Sequence, residues 1–377
     1  MKKKILTVVG TRPEIIRLSI IIKKFDLIFN NVLVHTNQNF DKNLKDIFFK
    51  ELNIRKPNYD LDISENTNIK FISNVLTKIE KIIIKEKPDA FFVLGDTNSS
   101  LSSIVAKKYK IPVFHYEAGN RCFDERVPEE INRRLVDHIS DINLTYSDFA
   151  KKNLLNEGIK NERVIKVGSP LFEVINFYRP KIEKCKILNK LKLKKNNYIL
   201  ISYHREENVD LINKLKKFIN LINIIQKKYV KKIIISTHPR TKKRLILLSI
   251  KKNKNINFLK PLSYFEYMKL QINSYVTLSD SGSISEESSI LKFRAITLRN
   301  SFERQEIMSQ PSILISDLNK ENLISSVDSV VKLNSSSSFD DYSIKNVSDT
   351  IPKIILSYIP YIKNTIWRMD SNENSDS

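Results

Sequence analysis

Glycine is scarce in this chain: there are six in 377 residues, and the nearest pair, Gly158 and Gly168, stand ten positions apart. That spacing excludes the GxGxxG dinucleotide fingerprint and the GxxxxGK[ST] phosphate loop, both of which need glycines close together. Hydride transfer from a dinucleotide held by that fingerprint is therefore not expected. Only two cysteines occur, Cys122 and Cys185, far apart and without metal-ligand spacing, which argues against a disulfide scaffold and against a zinc site. No apolar run approaches the ~18–20 residues that span a bilayer. The opening MKKKILTVVG imitates a secretory signal but is broken at once by Thr11, Arg12, Pro13 and Glu14. The expectation is a soluble, cytoplasmic protein with no membrane partner.

Acidic residues are outnumbered, 42 against 64 Lys and Arg, for a formal charge of +22. Such an excess suits a polyanion surface. Here, however, the lysines are spread over helix faces among Asn and Ile, as in KILNKLKLKKNN, and no nucleic-acid motif accompanies them. No nucleic-acid partner is expected, and the same field would serve a small anionic substrate. Hydrophobic residues make up 41% of the chain, enough for two globular domains.

What is present is a steady alternation of apolar strands and amphipathic helices, the pattern of an α/β fold with parallel sheets. In 1–170, KILTVV, NVLVHT, AFFVLG, PVFHYE, INLTYS and VIKVG read as strands, with helices expected at 13–25, 41–52, 67–86, 98–109, 129–141 and 148–157. A basic connector follows over about 171–196. The alternation restarts with YILISYH, KIIISTH, INFLK, YVTLSD, AITLR and SILIS, separated by helices at 211–230, 240–252, 263–273, 283–292 and 319–333. The domains are thus 1–170, a second doubly wound domain over 171–349, a last helix at 350–368 bearing the sole tryptophan, Trp367, and a polar tail, 369–377, too hydrophilic to pack.

Ligands of open α/β sheets sit beyond the carboxyl ends of the strands. Five of the six glycines, Gly10, Gly95, Gly119, Gly168 and Gly282, lie at or just past such ends. Plain tight turns explain any one of them but explain all five less well. VGTRPEIIRL places Arg12, Glu14 and Arg17 at the start of a helix, where dipole and cations favour an anion. LGDTNSS sets Asp96 directly after an apolar strand, as a general acid or base or as an N-cap for the following helix. HYEAGNR and VPEEINRR contribute Glu117, Arg121, Glu129, Glu130, Arg133 and Arg134. Glu129 and Arg133 have the spacing of a helical salt bridge, which leaves Glu117 on its strand end unexplained. Asp96, Glu117 and Glu129 are expected to converge as proton donors and acceptors. Strand ends with His204 and Arg205, and with His238 and Arg240, suit phosphate handling. LSDSGSISEESS opens a helix with Ser281, Gly282 and Ser283, a phosphate cradle, with Glu287 one turn on to accept from a ribose; Ser283 and Glu286 also fit a capping box.

Together GTRPE at 10–14, GDT at 95–97, EAG at 117–119, PEE at 128–130, HREEN at 204–208 and DSGSISEE at 280–287 resemble the non-hydrolysing UDP-N-acetylglucosamine 2-epimerase family, in order and spacing across nearly the whole chain. QNFD, EAGNRCFD and SDSGSISEESSILKF look most like the branch that forms UDP-N-acetyl-L-fucosamine from its L-talo epimer. The resemblance implies a glycosyltransferase-B-like fold, with two Rossmann-like domains facing a cleft and a last helix crossing back to the first domain. It also implies inversion at C2 of a UDP-2-acetamido sugar by elimination and re-addition of UDP, for cell-surface polysaccharide precursors, without cofactor or metal. By position it makes Asp96, Glu117 and Glu129 the acid/base groups, assisted by His204. Arg12, Arg17, Arg205, His238, Tyr267, Ser281, Gly282, Ser283, Glu287 and Arg304 become the substrate contacts, with Tyr267 against uracil, and a homodimer is expected. Two departures stand out. The Gln-His pair of a regulatory second site reads Gln38-Asn39 here, and the family's TERPE reads FERQE at 302–306. A glycosyltransferase of the same fold is the competing enzyme class, but it needs one base and an acceptor, whereas three acids suit proton traffic on both faces of one carbon.

Overall fold

The structure is a computed structural model that describes residues 2–38, 42–63, 65, 67–203, 211–237, 244, 253–299, 302–309, 312–333 and 340–369. His204, Arg205, His238 and Arg240 lie outside the described residues. So do Asn39, all but Arg244 of the helix expected at 240–252, most of the stretch SSSSFDDYS at 335–343, and the tail beyond Met369. Two compact units emerge, Met1–Val174 with Ser343–Ser377, and Ile175–Tyr342.

The first unit runs β1 (Lys4–Val9), α1 (Arg12–Ile28), β2 (Asn30–His35), α2 (Lys42–Glu51), β3 (Tyr59–Asp60), α3 (Asn68–Glu86), β4 (Ala90–Leu94), a 3-10 turn (Asn98–Ser102), α4 (Ser103–Lys108), β5 (Val113–Tyr116), α5 (Glu129–Ile139), β6 (Ile142–Thr145), α6 (Asp148–Asn156) and β7 (Val164–Lys166). Its sheet has the order β3-β2-β1-β4-β5-β6-β7, parallel throughout. Strands covered on both faces need apolar side chains at every position, and AFFVL of β4 is buried along its whole length. Helix α3 supplies one cover: Phe71, Val75, Ile79, Ile82 and Ile83 recur at helical spacing on its buried face. Each such side chain contributes about 1.5–3 kcal/mol on burial. The order reverses direction between β1 and β4, a switch point of the kind beside which open α/β sheets bind their ligands. Gly10–Glu14 and Gly95–Thr97 are the turns after these two strands.

Helix α7 (Leu171–Lys184) carries the chain into the second unit. It is followed by α8 (Ile187–Lys190), β8 (Tyr198–Ser202), α9 (Ile212–Tyr229), β9 (Lys232–Ser236), β10 (Ile256–Leu259), α10 (Tyr264–Asn273), β11 (Val276–Ser279), α11 (Ile284–Leu291), β12 (Ala295–Thr297), α12 (Glu306–Ser309), β13 (Leu314–Ile315) and α13 (Lys320–Lys332). The sheet order β10-β9-β8-β11-β12-β13 repeats the reversal, now between β8 and β11. Helix α14 (Val347–Tyr361) returns to the first unit, where Ser348 N–H donates to Glu173 at 2.9 Å and Lys24 pairs with Asp349.

Four local expectations change. The helix expected over 98–109 opens as a 3-10 turn, because the hydroxyls of Ser100, Ser102 and Ser103 each donate to the carbonyl three residues back and tighten the backbone. The basic connector over 171–196 is largely helical: Leu171, Val174, Ile175, Tyr178 and Ile182 are buried, and the lysines are spaced between them. Tyr59–Asp60 pairs with β2 although two residues are too few to read as a strand. The last helix begins at Val347 and ends at Tyr361, where it gives way to a π turn over Ile362–Ile366 just after Pro360 withholds an N–H. That turn delivers Trp367, whose indole N–H donates to Asp141 at 3.2 Å while Lys107 lies 5.2 Å over the ring. Among the described residues no helix is long and apolar enough to cross a membrane.

Candidate active site

At the end of β1 the chain must turn against a serine. A Cβ on Gly10 would lie 2.0 Å from Ser99 Oγ, so only glycine fits there. Ser99 is in turn held by Thr36 Oγ1 at 2.7 Å and by Gln38 Oε1 at 2.9 Å. Thr11 caps α1, and Glu14 closes the capping box. Glu14 does more than cap. Its buried carboxylate accepts from Gly10 N at 2.7 Å, from Thr11 N and from Thr97 Oγ1 at 2.8 Å, and so ties the turn after β1 to the turn after β4. Burial pushes its pKa up to about 7 against the pull of these donors. The Arg12 guanidinium lies 4.9 Å over the Phe48 ring.

Asp96 follows Gly95, whose φ of +72° favours glycine. It is not a cap: Thr97 occupies the N-cap position of the 3-10 turn. Instead Asp96 Oδ2 accepts a hydrogen bond from Arg133 Nε at 2.7 Å and pairs with its Nη2 at 2.6 Å. The remaining arm of Arg133, Nη1, donates to Glu130 at 2.7 Å. Arg133, placed by sequence one helical turn from Glu129, thus spans Asp96 and Glu130. Glu130 is buried at the first turn of α5 and also accepts from Cys122 N and Phe123 N at 3.2 and 3.1 Å. Burial works against its charge, yet these donors together with Arg133 hold its carboxyl below the usual range. Asn132 Nδ2 donates to the Asp96 carbonyl at 2.9 Å, which fixes the turn itself. Glu129 stands exposed in the first turn of α5, one residue before this network.

Glu117, one residue past β5, has φ +69°, a conformation that side chains seldom take. Tyr146 Oη donates to its Oε2 at 3.2 Å, Asn120 Nδ2 to its Oε1 at 3.4 Å, and Arg17 Nη1 lies 3.9 Å from Oε2. A Cβ on Gly95 would lie 3.8 Å from the same Oε2, so Glu117 stands beside the turn that carries Asp96. His115 and Arg121, its neighbours in sequence, serve the interior. His115 Nε2 meets the Gly95 carbonyl at 2.9 Å and its Nδ1 lies 2.8 Å from Asp137 Oδ1. Arg121, wholly buried, joins Asp137 at 2.7 Å to Glu157 through paired bonds of 2.8 and 2.7 Å. Burial opposes the charge of Asp137, but His115 and Arg121 prevail and keep its carboxyl below the usual range. These residues brace α5 and α6 under the site.

In the second unit Ser281, Gly282 and Ser283 precede α11 past the end of β11. A Cβ on Gly282 would meet Glu303 Oε1 at 2.3 Å, within the Arg299–Glu303 pair, so a larger residue in this turn would push that ion pair aside. The capping box expected of Ser283 and Glu286 does not form. Ser283 Oγ donates to Glu287 at 2.7 Å, and Glu286 is engaged by Arg304. Glu287 is also held by Gln271 Nε2 at 2.6 Å. Arg304 is itself buried, beside Glu306, whose carboxyl burial raises while Arg304 opposes; Tyr342 Oη donates to Glu306 at 2.8 Å. Tyr267 is buried in α10, behind a capping box of Ser263 and Glu266. No sequence signal marked Tyr146 or Gln271, because each is identified by a partner far along the chain. Among the described residues no group of three His, Cys, Asp or Glu side chains is placed to hold a metal.

A family model described as UDP-N-acetylglucosamine 2-epimerase matches residues 24–356. The chain is 42% identical over 343 residues to a UDP-N-acetylglucosamine 2-epimerase of Methanocaldococcus jannaschii, covering 86% of this chain and 91% of that one. Its fold matches the solved UDP-N-acetylglucosamine 2-epimerase of Rickettsia bellii with a TM-score of 0.90 and 43% identity, over 97% of this chain and 100% of that one. It also matches a Methanocaldococcus jannaschii structure in complex with UDP-GlcNAc and UDP, with a TM-score of 0.87 and 38% identity over 94% and 99% of the two chains.

Proposed function

The chain belongs to the UDP-N-acetylglucosamine 2-epimerase family, and from that premise we propose that it inverts C2 of a UDP-2-acetamido sugar without hydrolysing it. The observation that carries this reading is the pair of carboxylates around Gly95: Asp96 held on Arg133, and Glu117 held by Tyr146, on adjacent strand ends. The C2 hydrogen is not acidic, so its removal must accompany departure of UDP from C1. One carboxylate takes the proton, the electron pair forms the C1–C2 double bond, and the C1–O bond breaks to release UDP. UDP oxygen then re-adds at C1 while another carboxyl delivers a proton to the opposite face of C2. Nothing is oxidised or reduced.

Asp96, Glu117 and Glu129 share the proton traffic in this proposal. Arg12 and Arg17, at the amino end of α1, offset the charge of the departing diphosphate. The Ser281–Ser283 turn and the amino end of α11 take phosphate. Glu287, oriented by Ser283 and Gln271, accepts from the ribose, and Tyr267 faces the uracil. His204, Arg205 and His238 keep the phosphate roles that their motifs suggest. Arg304, buried against Glu286, is reassigned to holding α11 in place. The substrate is UDP-N-acetylglucosamine and its manno epimer or the 6-deoxy L-talo and L-fuco pair, in a cytoplasmic homodimer. Ile131 and Leu135, i and i+4 on α5 and 58% and 45% exposed, give a second copy an apolar face to cover.

Incubation of the protein with each UDP-2-acetamido sugar in D2O, with no acceptor present, tests the reading. Deuterium should appear at C2 of recovered substrate and of its epimer. Absence of C2 deuterium from every sugar of the panel would overturn it, whereas sugar transfer that appears only with an acceptor would indicate a glycosyltransferase.

A further inference from the structure

The carboxylate of Glu117 is reached by a relay of donors that no motif announces. Arg17 Nη1 donates to Tyr146 Oη at 3.4 Å, and Tyr146 Oη donates to Glu117 Oε2 at 3.2 Å. The guanidinium lies 5.7 Å over the tyrosine ring, so it contacts both the face and the hydroxyl of the same side chain. Tyr146 is 1% exposed, and its ring sits edge-on to Tyr116 with centroids 5.0 Å apart, which leaves the hydroxyl little freedom to turn elsewhere. A phenol that accepts from a cation is a stronger donor to the carboxylate beyond it. The backbone agrees: Glu117 keeps φ +69°, and Ala118 N–H is anchored on the Leu144 carbonyl at 3.2 Å. A strained conformation of this kind persists where the surroundings over-determine it.

We propose that Tyr146 is a positioning residue for the epimerisation: with Arg17 behind it, it fixes the Oε2 atom of Glu117 and sets the pH at which that carboxylate exchanges the C2 proton. The inference rests on Glu117 acting in proton transfer as proposed above. Among the described residues, the groups facing this carboxylate include Arg17 from α1 and Tyr146 from the end of β6, with Asn120 from its own loop, while Asp96 on the neighbouring turn is engaged by Arg133. Loss of the phenol donor removes a bond made to the charged form of Glu117 and makes its proton harder to release.

The measurement is C2 exchange in D2O as a function of pH, for the parent, Tyr146→Phe, Glu117→Gln and a protein with ring-fluorinated tyrosine at position 146. Tyr146→Phe keeps the ring and its packing. Its acidic limb should move up by about one pH unit, roughly a tenfold change in the ionised fraction at a given pH, and kcat should fall while KM stays within about twofold. Fluorination makes the phenol a stronger donor and should move the limb down, a result that survives even if Tyr146→Phe does not fold. Limbs that coincide with the parent's, while Glu117→Gln is inactive, overturn the inference and leave the proposed function standing. Retained exchange in Glu117→Gln overturns the role of Glu117 and the inference with it.

Discussion

Replacing Glu14 with glutamine should stabilise the protein at neutral pH but not in acid. The Glu14 side chain is buried at 2% exposure, and burial, opposed by donors from Gly10, Thr11 and Thr97, raises its pKa from 4.5 to about 7. In the unfolded chain the carboxyl titrates near its ordinary value. Below that pH both states hold the proton, and burial of the neutral acid carries no ionisation cost. Between about 4.5 and 7 the unfolded state releases a proton that the folded state keeps, so stability falls as pH rises. Above about 7 the full cost is present, about 3 kcal/mol at 1.36 kcal/mol per pH unit. Glutamine has no proton to lose, its Oε1 can take the Gly10 and Thr11 N–H bonds, and its amide can face Thr97 Oγ1. The unfolding free energy of Glu14→Gln minus that of the parent should therefore climb by about 3 kcal/mol across this window. Groups that titrate alike in both proteins cancel in that difference. Urea unfolding followed by circular dichroism over a pH series measures it, with m-values compared to confirm the same transition. A difference that stays level with pH, or one that falls, would refute the reasoning.

The network around Asp96 gives a second expectation. Arg133→Met leaves the buried Glu130 with only the more distant Arg134, 3.8 Å away, which should lower stability by about 3 kcal/mol, and frees Asp96, which should lower C2 exchange by about a hundredfold. Arg133→Lys should recover part of the stability but little of the rate, because one ammonium cannot span both carboxylates; parent-like exchange in either variant contradicts this role. For the assembly, sedimentation should give a dimer in the parent and a monomer in Ile131→Glu, and a monomeric parent would remove the proposed interface.

Much of the fold is legible because parallel strands buried on both faces appear as apolar runs such as AFFVL and YILIS, and α3 declares itself by its stripe of Phe71, Val75 and Ile79. Legibility fails where a local rule meets competition. Serine hydroxyls turn the start of the helix after Asp96 into a 3-10 turn, and lysines mask the apolar face of α7. The capping box fits Thr11 and Glu14, whereas its apparent twin at Ser283 and Glu286 is broken by Arg304, eighteen residues away, which takes the glutamate.

Asp96, Glu117 and the Ser281–Ser283 turn could be named from sequence, since strand ends and scarce glycines are local signals and their motifs repeat those of a family. The sequence by itself therefore determined the α/β class, the kind of reaction, and the strand ends proposed to bear its chemistry. Only the tertiary structure decided partnership: Arg133 reaches Asp96 across 37 residues and Tyr146 reaches Glu117 across 29. The physical reason is that strand order sets which turns become neighbours, and burial then determines which charged groups must satisfy one another. Strand order, and with it the choice of which buried charges meet, is not written in the spacing of residues along the chain.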